Sequence, residues 1–252
     1  MRRRFFVDRF DAKSATLRGG SAEHLGRVLR AEPGQLYELS DGNTVWLARV
    51  EYVTLPRRAE KLVEFSLVEN IPAREPALHL QLLLALIKFE RFEWCIEKAT
   101  ELGVTEIVTL ASARTDRPLM HAAGKRQARW RKIVLEASQQ SRRLRPPVFL
   151  GATPTTMSEK AFERCTVPLK IIFSERREAR PVHDVLRDVK ASAAALAVGP
   201  EGGWTEDEIA AATSAGFLEA SLGENILRAE TAVVAALSVV RYALGASCLP
   251  ML

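Results

Sequence analysis

A chain of 252 residues with 47% hydrophobic and 27% charged residues has the make-up of a globular protein, long enough for two domains or one large core. Its 36 Lys and Arg against 31 Asp and Glu leave a net charge of +5, which favours a polyanionic partner without requiring one. Three distant cysteines, Cys95, Cys165 and Cys248, make neither a disulfide framework nor a zinc cluster, and the longest apolar run, Leu78 to Ile87, is too short to span a bilayer.

At the start of the chain Met1-Arg2-Arg3-Arg4 leads only into Phe5-Phe6-Val7 before Asp8 and Arg9. That is too short for the apolar core of an export signal, so a reducing cytoplasm is the expected compartment. Strand-like segments dominate up to residue 72. Leu36 to Ser40 and Thr44 to Val50 flank the hairpin turn Asp41-Gly42-Asn43, and Lys61 to Val68 alternates apolar and polar residues. Residues 1–72 read as a small β-barrel-like domain, and Ile71 to Pro76, with two prolines, as a linker.

From residue 73 to 252 strands and helices alternate, the pattern of an α/β domain with a parallel sheet. Leu78 to Ile87 reads as a buried strand. Phe89, Phe92, Ile96, Ala99 and Leu102 define one face of a helix that Gly103 ends, and Glu106 to Leu110 is the next strand. Gln127 to Gln140 is helical in pattern, with Trp130, Ile133, Val134 and Ala137 on its inner side.

Between Lys125 and Arg145 stand eight Lys or Arg residues against a single Glu136. Lys125, Arg126, Arg142, Arg143 and Arg145 are therefore candidates for phosphate contact, which fixes register on a nucleic acid rather than reading its sequence. The alternative is a solvated face with cations at a helix carboxyl end. Arg27 and Arg30 are similar candidates in the first domain. His24, His79, His121 and His183 have no metal-ligand spacing, and no metal is assigned.

The apolar run Ala193 to Val198 breaks into Gly199-Pro200-Glu201-Gly202-Gly203-Trp204, after which Thr205 and Glu208 form a capping box that starts a helix. That helix runs through Ile209, Ala212 and Ala215 to Gly216, and Phe217 to Leu222 is the next short strand. A second loop follows, Leu222-Gly223-Glu224-Asn225-Ile226-Leu227-Arg228-Ala229-Glu230-Thr231-Ala232. Thr231 stands as a helix cap ahead of Val233, Val234, Leu237, Val240 and Leu244, a helix with so few polar residues that most of its surface is expected to be buried. Two glycine-bearing loops after two strands make the layout of a ligand site at the carboxyl ends of a parallel sheet. The loops lack the Lys-Ser/Thr pair of a P-loop and the Gly-x-Gly-x-x-Gly of dinucleotide folds, so neither a triphosphate nor NAD is indicated.

Together, Gly199 to Gly203, Leu222 to Ala232 and Glu97-Lys98-Ala99-Thr100-Glu101-Leu102-Gly103-Val104 resemble the SPOUT-type, S-adenosyl-L-methionine-dependent ribosomal RNA methyltransferases. Within these the resemblance is to the RsmE family of 16S rRNA (uracil-1498-N3) methyltransferases, and Arg3 to Val7 and His24 to Arg30 are similar to its amino-terminal segments. It implies a SPOUT-type parallel sheet with a carboxyl-terminal trefoil knot over residues 73–252, preceded by a PUA-like β-barrel that helps hold RNA. S-Adenosyl-L-methionine would sit bent in the knotted loops, against Gly199, Glu201, Gly202, Gly203, Leu222, Gly223, Ile226, Leu227, Arg228 and Ala232. The glycines would leave room for close approach, and a third loop would follow Ile171-Ile172-Phe173.

The resemblance further implies a homodimer acting on 16S rRNA or the assembled small ribosomal subunit, with no metal and no membrane. Methylation of uracil N3 would need an unpaired base and stabilisation of the uracil anion. Arg228 is the candidate for that charge, unless it makes a salt bridge to Glu201 or Glu230, and these glutamates would either accept a proton or brace the loops. Two positions depart from the family pattern: Trp204 stands where Phe is more usual, and Ser141-Arg142-Arg143 where Ser-Gly-Arg is. A 2′-O-ribose methyltransferase of the same fold and a noncatalytic RNA-binding or ribosome-assembly protein remain the alternatives.

Overall fold

The computed structural model describes residues 3–151 and 157–245, and Cys248 lies outside them. The chain divides into two compact units, Met1–Glu75 with Glu136–Pro146, and Pro76–Leu135 with Pro147–Leu252. Residues 136–146, read from the sequence as part of the second domain, group with the first. They are held there by Ser40 Oγ, which donates to the Leu144 carbonyl at 2.6 Å, and by ion pairs of Arg142 with Glu38 and Arg145 with Glu75.

The first unit contains β1 (Arg4–Phe6), β2 (Ser14–Arg18), α1 (Gly19–Glu23) running into one π-helical turn over His24–Val28, β3 (Leu36–Ser40), β4 (Val45–Thr54) and β5 (Leu62–Ile71). The sheet order is β1-β3-β4-β5-β2, antiparallel except where β1 meets β3. The hairpin between β3 and β4 forms because the Asp41 carboxylate accepts the N–H groups of Asn43 and Thr44, at 2.9 and 2.7 Å, around Gly42 at φ +90°. Phe5, Leu17, Leu25, Leu39, Val50 and Phe65 fill the core beneath.

The second unit comprises β6 (His79–Ala85), α2 (Phe89–Glu101), β7 (Glu106–Leu110), α3 (Arg117–Gln140, whose last turn belongs to the first unit), β8 (Val148–Leu150), α4 (Ser158–Arg164) and β9 (Leu169–Phe173). It continues through β10 (Arg180–Pro181), α5 (Val182–Val185), β11 (Ala193–Val198), α6 (Glu206–Ser214), β12 (Leu218–Ser221) and α7 (Ala229–Leu244). All seven strands pair in parallel, in the order β10-β12-β9-β11-β6-β7-β8. Alternate residues feed opposite faces: Leu82, Leu84, Leu196 and Val198 join one core with α2, α3 and α7, while Leu83, Ala85, Ala195 and Ala197 join the other with α4 and α6. A parallel sheet covered on both faces is the arrangement that such unbroken apolar strands require.

Three local expectations are corrected. α3 starts at Arg117, not Gln127, because Pro118 is tolerated in a first turn and Leu119, Met120 and Ala123 extend its apolar face. α7 starts at Ala229 with Arg228 in the extended N-cap conformation, so Thr231 is an exposed residue of the first turn and not the cap. Nor is α7 mostly buried. Ala229, Val233, Ala236, Leu237 and Val240 form a single inward face, whereas Val239 and Tyr242 are exposed, Tyr242 at 90%.

Candidate functional site

The carboxyl ends of β9, β11 and β12 lie side by side, and the loop after each borders one cavity of about 270 Å³. Phe173, Ser174 and Glu175 come from the first loop, residues 198–201 with Gly203 and Trp204 from the second, and residues 222–229 with Ala232 from the third; Arg91 of α2 closes the wall. The floor is apolar, from Phe173, Val198, Trp204, Leu222, Leu227 and Ala229, while Arg91, Glu175, Glu201, Glu224 and Arg228 supply charge. An apolar cavity with a few polar groups at the topological edge of parallel strands suits a small organic ligand.

The Gly199–Trp204 loop is tied down by its own chemistry. The Trp204 indole N–H donates to the Phe173 carbonyl at 3.0 Å, joining the loops after β11 and β9, and the ring packs edge-on to Phe162. Gly203 N–H closes a turn onto the Pro200 carbonyl at 2.9 Å, and the Arg114 guanidinium donates to the Gly202 carbonyl at 2.6 Å. The capping box is complete: Thr205 Oγ1 accepts from Glu208 N–H at 3.2 Å, and the fully buried Glu208 carboxylate accepts from Thr205 N–H, Ser158 Oγ and Ala113 N–H.

These contacts revise the expected use of the glycines. A Cβ on Gly199 would lie 3.0 Å from the Trp204 ring, and one on Gly203, at φ +70°, would lie 2.3 Å from a Glu175 carboxylate oxygen. Their missing side chains make room for neighbours within the protein. Gly202 is not on the cavity wall. Only at Gly223, where a Cβ would meet nothing within 4 Å, does open space remain at the cavity.

The third loop differs. The backbone N–H groups of residues 223–227 donate to no acceptor among the described residues, and Ile226 is 82% exposed. Unused donors beside an apolar floor fit the edge of a purine ring, which needs directional hydrogen bonds at its rim and apolar contact on its faces. The site thus passes a chemical test for an adenosine-type ligand.

The two tentative catalytic residues separate. Arg228 is exposed on the cavity wall and forms no ion pair among the described residues, so it bridges to neither glutamate. Glu230 is not on the wall. It faces α2, with Oε1 3.8 Å from Arg91 Nε and Oε2 buried without a hydrogen-bond partner. Burial, with the Glu230 charge adding to it, pushes the nearby Cys95 thiol up to about 12. Glu201 also pairs with Arg91. Sequence reading missed Arg91, although a cation in the first turn of a helix opposes the helix dipole and signals an acidic tertiary partner.

The expected phosphate-contact residues fall on both units. Arg27 pairs with Glu23 at 2.6 Å, and Arg30 is exposed at φ +51°. Arg126 lies 3.7 Å from Glu93 and over the Phe89 ring, while Lys125 is exposed. Arg142 reaches Glu38 at 3.7 Å, Arg143 Nε donates to the Arg145 carbonyl at 3.3 Å, and Arg145 pairs with Glu75. Arg142 adopts φ +53°, a left-handed conformation that favours Gly, so the departure from Ser-Gly-Arg keeps the loop geometry at a backbone cost. Among the described residues no three His, Cys, Asp or Glu side chains group as a metal site, and no helix is long and apolar enough to cross a membrane.

Residues 74–241 match the family model of the RNA methyltransferase domain. The ribosomal RNA small subunit methyltransferase E of Synechocystis is 35% identical over 89% of this chain and 72% of its own length. The crystal structure of a ribosomal RNA small subunit methyltransferase E from Neisseria gonorrhoeae bound to S-adenosyl methionine superposes with a TM-score of 0.81 at 29% identity, covering 97% of this chain and 98% of that one. A putative methyltransferase of Legionella pneumophila, in complex with bound cofactor SAM, gives 0.82 at 28% identity over 96% and 98%. The chain belongs to the RNA methyltransferase domain family, and within it to the ribosomal RNA small subunit methyltransferases E.

Proposed function

We propose that this protein is an S-adenosyl-L-methionine-dependent methyltransferase that modifies N3 of one uridine of 16S rRNA, the family's uridine 1498, in the small ribosomal subunit. The observation that carries this reading is the cavity at the ends of β9, β11 and β12, with unused amides at 223–227 above an apolar floor. Gly223, Leu222, Ile226, Leu227 and Ala232 would hold the adenosine, and Gly199, Glu201, Gly203 and Arg228 the rest of the wall.

When bound, S-adenosyl-L-methionine supplies an activated methyl group and a neutral leaving group. The protein's part is orientation and charge. Uracil N3 lies on the Watson-Crick edge, so the target base must be unpaired to present it. Arg228, exposed and unpaired at the start of α7, is placed to stabilise negative charge on a uracil carbonyl oxygen as N3 loses its proton, with the helix amino terminus adding to the effect. Glu230 serves as a brace for Arg91 rather than as the base.

The same reading covers the rest of the molecule. The order β12-β9-β11 supports a trefoil knot, because the chain passes from β11 beyond β9 to β12 before α7 packs back on α2 and β11. The mostly antiparallel first unit supports a PUA-like role in holding RNA, with Arg27, Arg30, Arg142, Arg143 and Arg145 there and Lys125 and Arg126 in the second unit as phosphate contacts. Exposed Trp94 on α2 and Val239 and Tyr242 on α7 support a homodimer, and the working compartment is the cytoplasm.

The test is incubation of small subunits from cells lacking the protein with purified enzyme and labelled S-adenosyl-L-methionine, followed by RNA digestion and mass spectrometry. One methyl at N3 of a single uridine is expected. A ribose methyl would redirect the assignment to 2′-O transfer, and donor binding without transfer to any RNA would favour a noncatalytic role.

A further inference from the structure

The cavity wall carries five charged side chains, and among the described residues only two of them, Arg91 and Glu201, are joined as an ion pair. They reach each other from different elements, 110 residues apart in sequence, Arg91 from the first turn of α2 and Glu201 from the loop after β11. Each side chain is about one-third exposed, at 35% and 36%, so the pair is formed yet accessible from the cavity. Arg228 and Glu224 lie on the other loop and Glu175 after β9, without ion-pair partners among the described residues.

Glu230 makes Arg91 more than half of a simple pair. Its Oε1 stands 3.8 Å from Arg91 Nε, and its Oε2 is buried with no hydrogen-bond partner, so a second carboxylate stays behind the guanidinium whatever Glu201 does. Arg91 is thus held at the rim and keeps donors to offer. A guanidinium has five N–H groups in a planar fork suited to a carboxylate. An adjacent cation and anion, both reachable from one cavity, complement a zwitterion whose own carboxylate and ammonium are borne on a single carbon.

We propose that Arg91 and Glu201 form the subsite for the amino-acid end of the methyl donor, Arg91 pairing with its α-carboxylate and Glu201 accepting from its α-ammonium. This rests on the donor reading above and adds which end of the ligand lies where. The apolar floor and the amides of 223–227 take the adenosine, and the charged rim takes the methionine end. Arg228 is left for the base to be methylated.

S-Adenosyl-L-homocysteine and 5′-methylthioadenosine are both neutral thioethers of adenosine and differ in the amino-acid end, so calorimetric titration of the two isolates this subsite. The unaltered protein should bind the homocysteine compound more tightly. Arg91→Met should weaken that compound about 10- to 100-fold, the range of a lost charge-assisted hydrogen bond, and leave methylthioadenosine within about twofold. Arg91→Lys should recover part of the loss, and the near-isosteric Glu201→Gln should show the same selectivity without disturbing the fold. Equal weakening of both compounds by Arg91→Met and by Glu201→Gln would overturn the subsite and leave the pair as a loop brace. No change in either affinity would overturn it as well. If the unaltered protein bound neither compound, nor S-adenosyl-L-methionine, the donor reading itself would fall and the subsite with it.

Discussion

The loop after β11 and the loop after β12 border the same cavity, yet they are built on opposite principles. In the first, a ring N–H, an arginine, a tight turn and a capping box use the polar groups internally, and the missing side chains of Gly199 and Gly203 are filled by Trp204 and Glu175. In the second, five successive amides have no protein acceptor among the described residues, and Ile226 projects into solvent. One loop is a finished wall, and the other is a set of unsatisfied donors awaiting a ligand. A site can be rigid where it needs shape and open where it needs hydrogen bonds, because a buried polar group is costly only if nothing finally pairs with it.

The largest effect should appear in hydrogen exchange. With S-adenosyl-L-methionine at about 100 times its Kd, any amide of 223–227 that exchanges by opening from the bound state should slow by up to about 100-fold, while Gly203, already bonded to Pro200, should change much less. Similar slowing at both loops would erase the contrast between them.

Gly203→Val should cost about 2 kcal/mol or more of stability in chemical denaturation, since a β-branched residue at φ +70° is strained and its Cβ meets Glu175. A variant as stable as the parent would show that the first loop is not fixed. Trp204→Phe, the residue more usual in the family, should cost about 1 kcal/mol, because the Phe173 carbonyl loses the indole donor while the aromatic packing on Phe162 is largely kept. An unchanged midpoint would mean that this bond is not part of the wall's strength.

The smallest change is expected at Ile226→Ala. Stability should stay within about 0.5 kcal/mol, as for an exposed side chain, while donor affinity falls about fivefold because the side chain is covered only in the complex. A large loss of stability would place Ile226 in the fold rather than at the ligand.

Much of this was legible locally. The box of Thr205 and Glu208 predicts the start of α6, since a cap spans one turn, and Gly216 at φ +86° ends it through the Phe217 N–H bond to the Ala212 carbonyl. The strand Ala193–Val198 was likewise readable from its unbroken apolar run. Thr231 misled because a hydroxyl ahead of an apolar run is a cap only if the backbone turns there, and Arg228 already occupies that extended position. The exposed side of α7 was hidden because apolar composition reports affinity for a nonpolar neighbour without saying whether that neighbour belongs to the same chain.

By itself the sequence determined the alternation of strands and helices, the two glycine loops and their family, because these depend on spacings within one or two turns. Only the tertiary structure decided that β12 lies beside β9, that Glu230 turns toward α2 and that Arg91 meets Glu201 across 110 residues. Such pairings follow from the order in which parallel strands are laid side by side, and no local propensity carries that order.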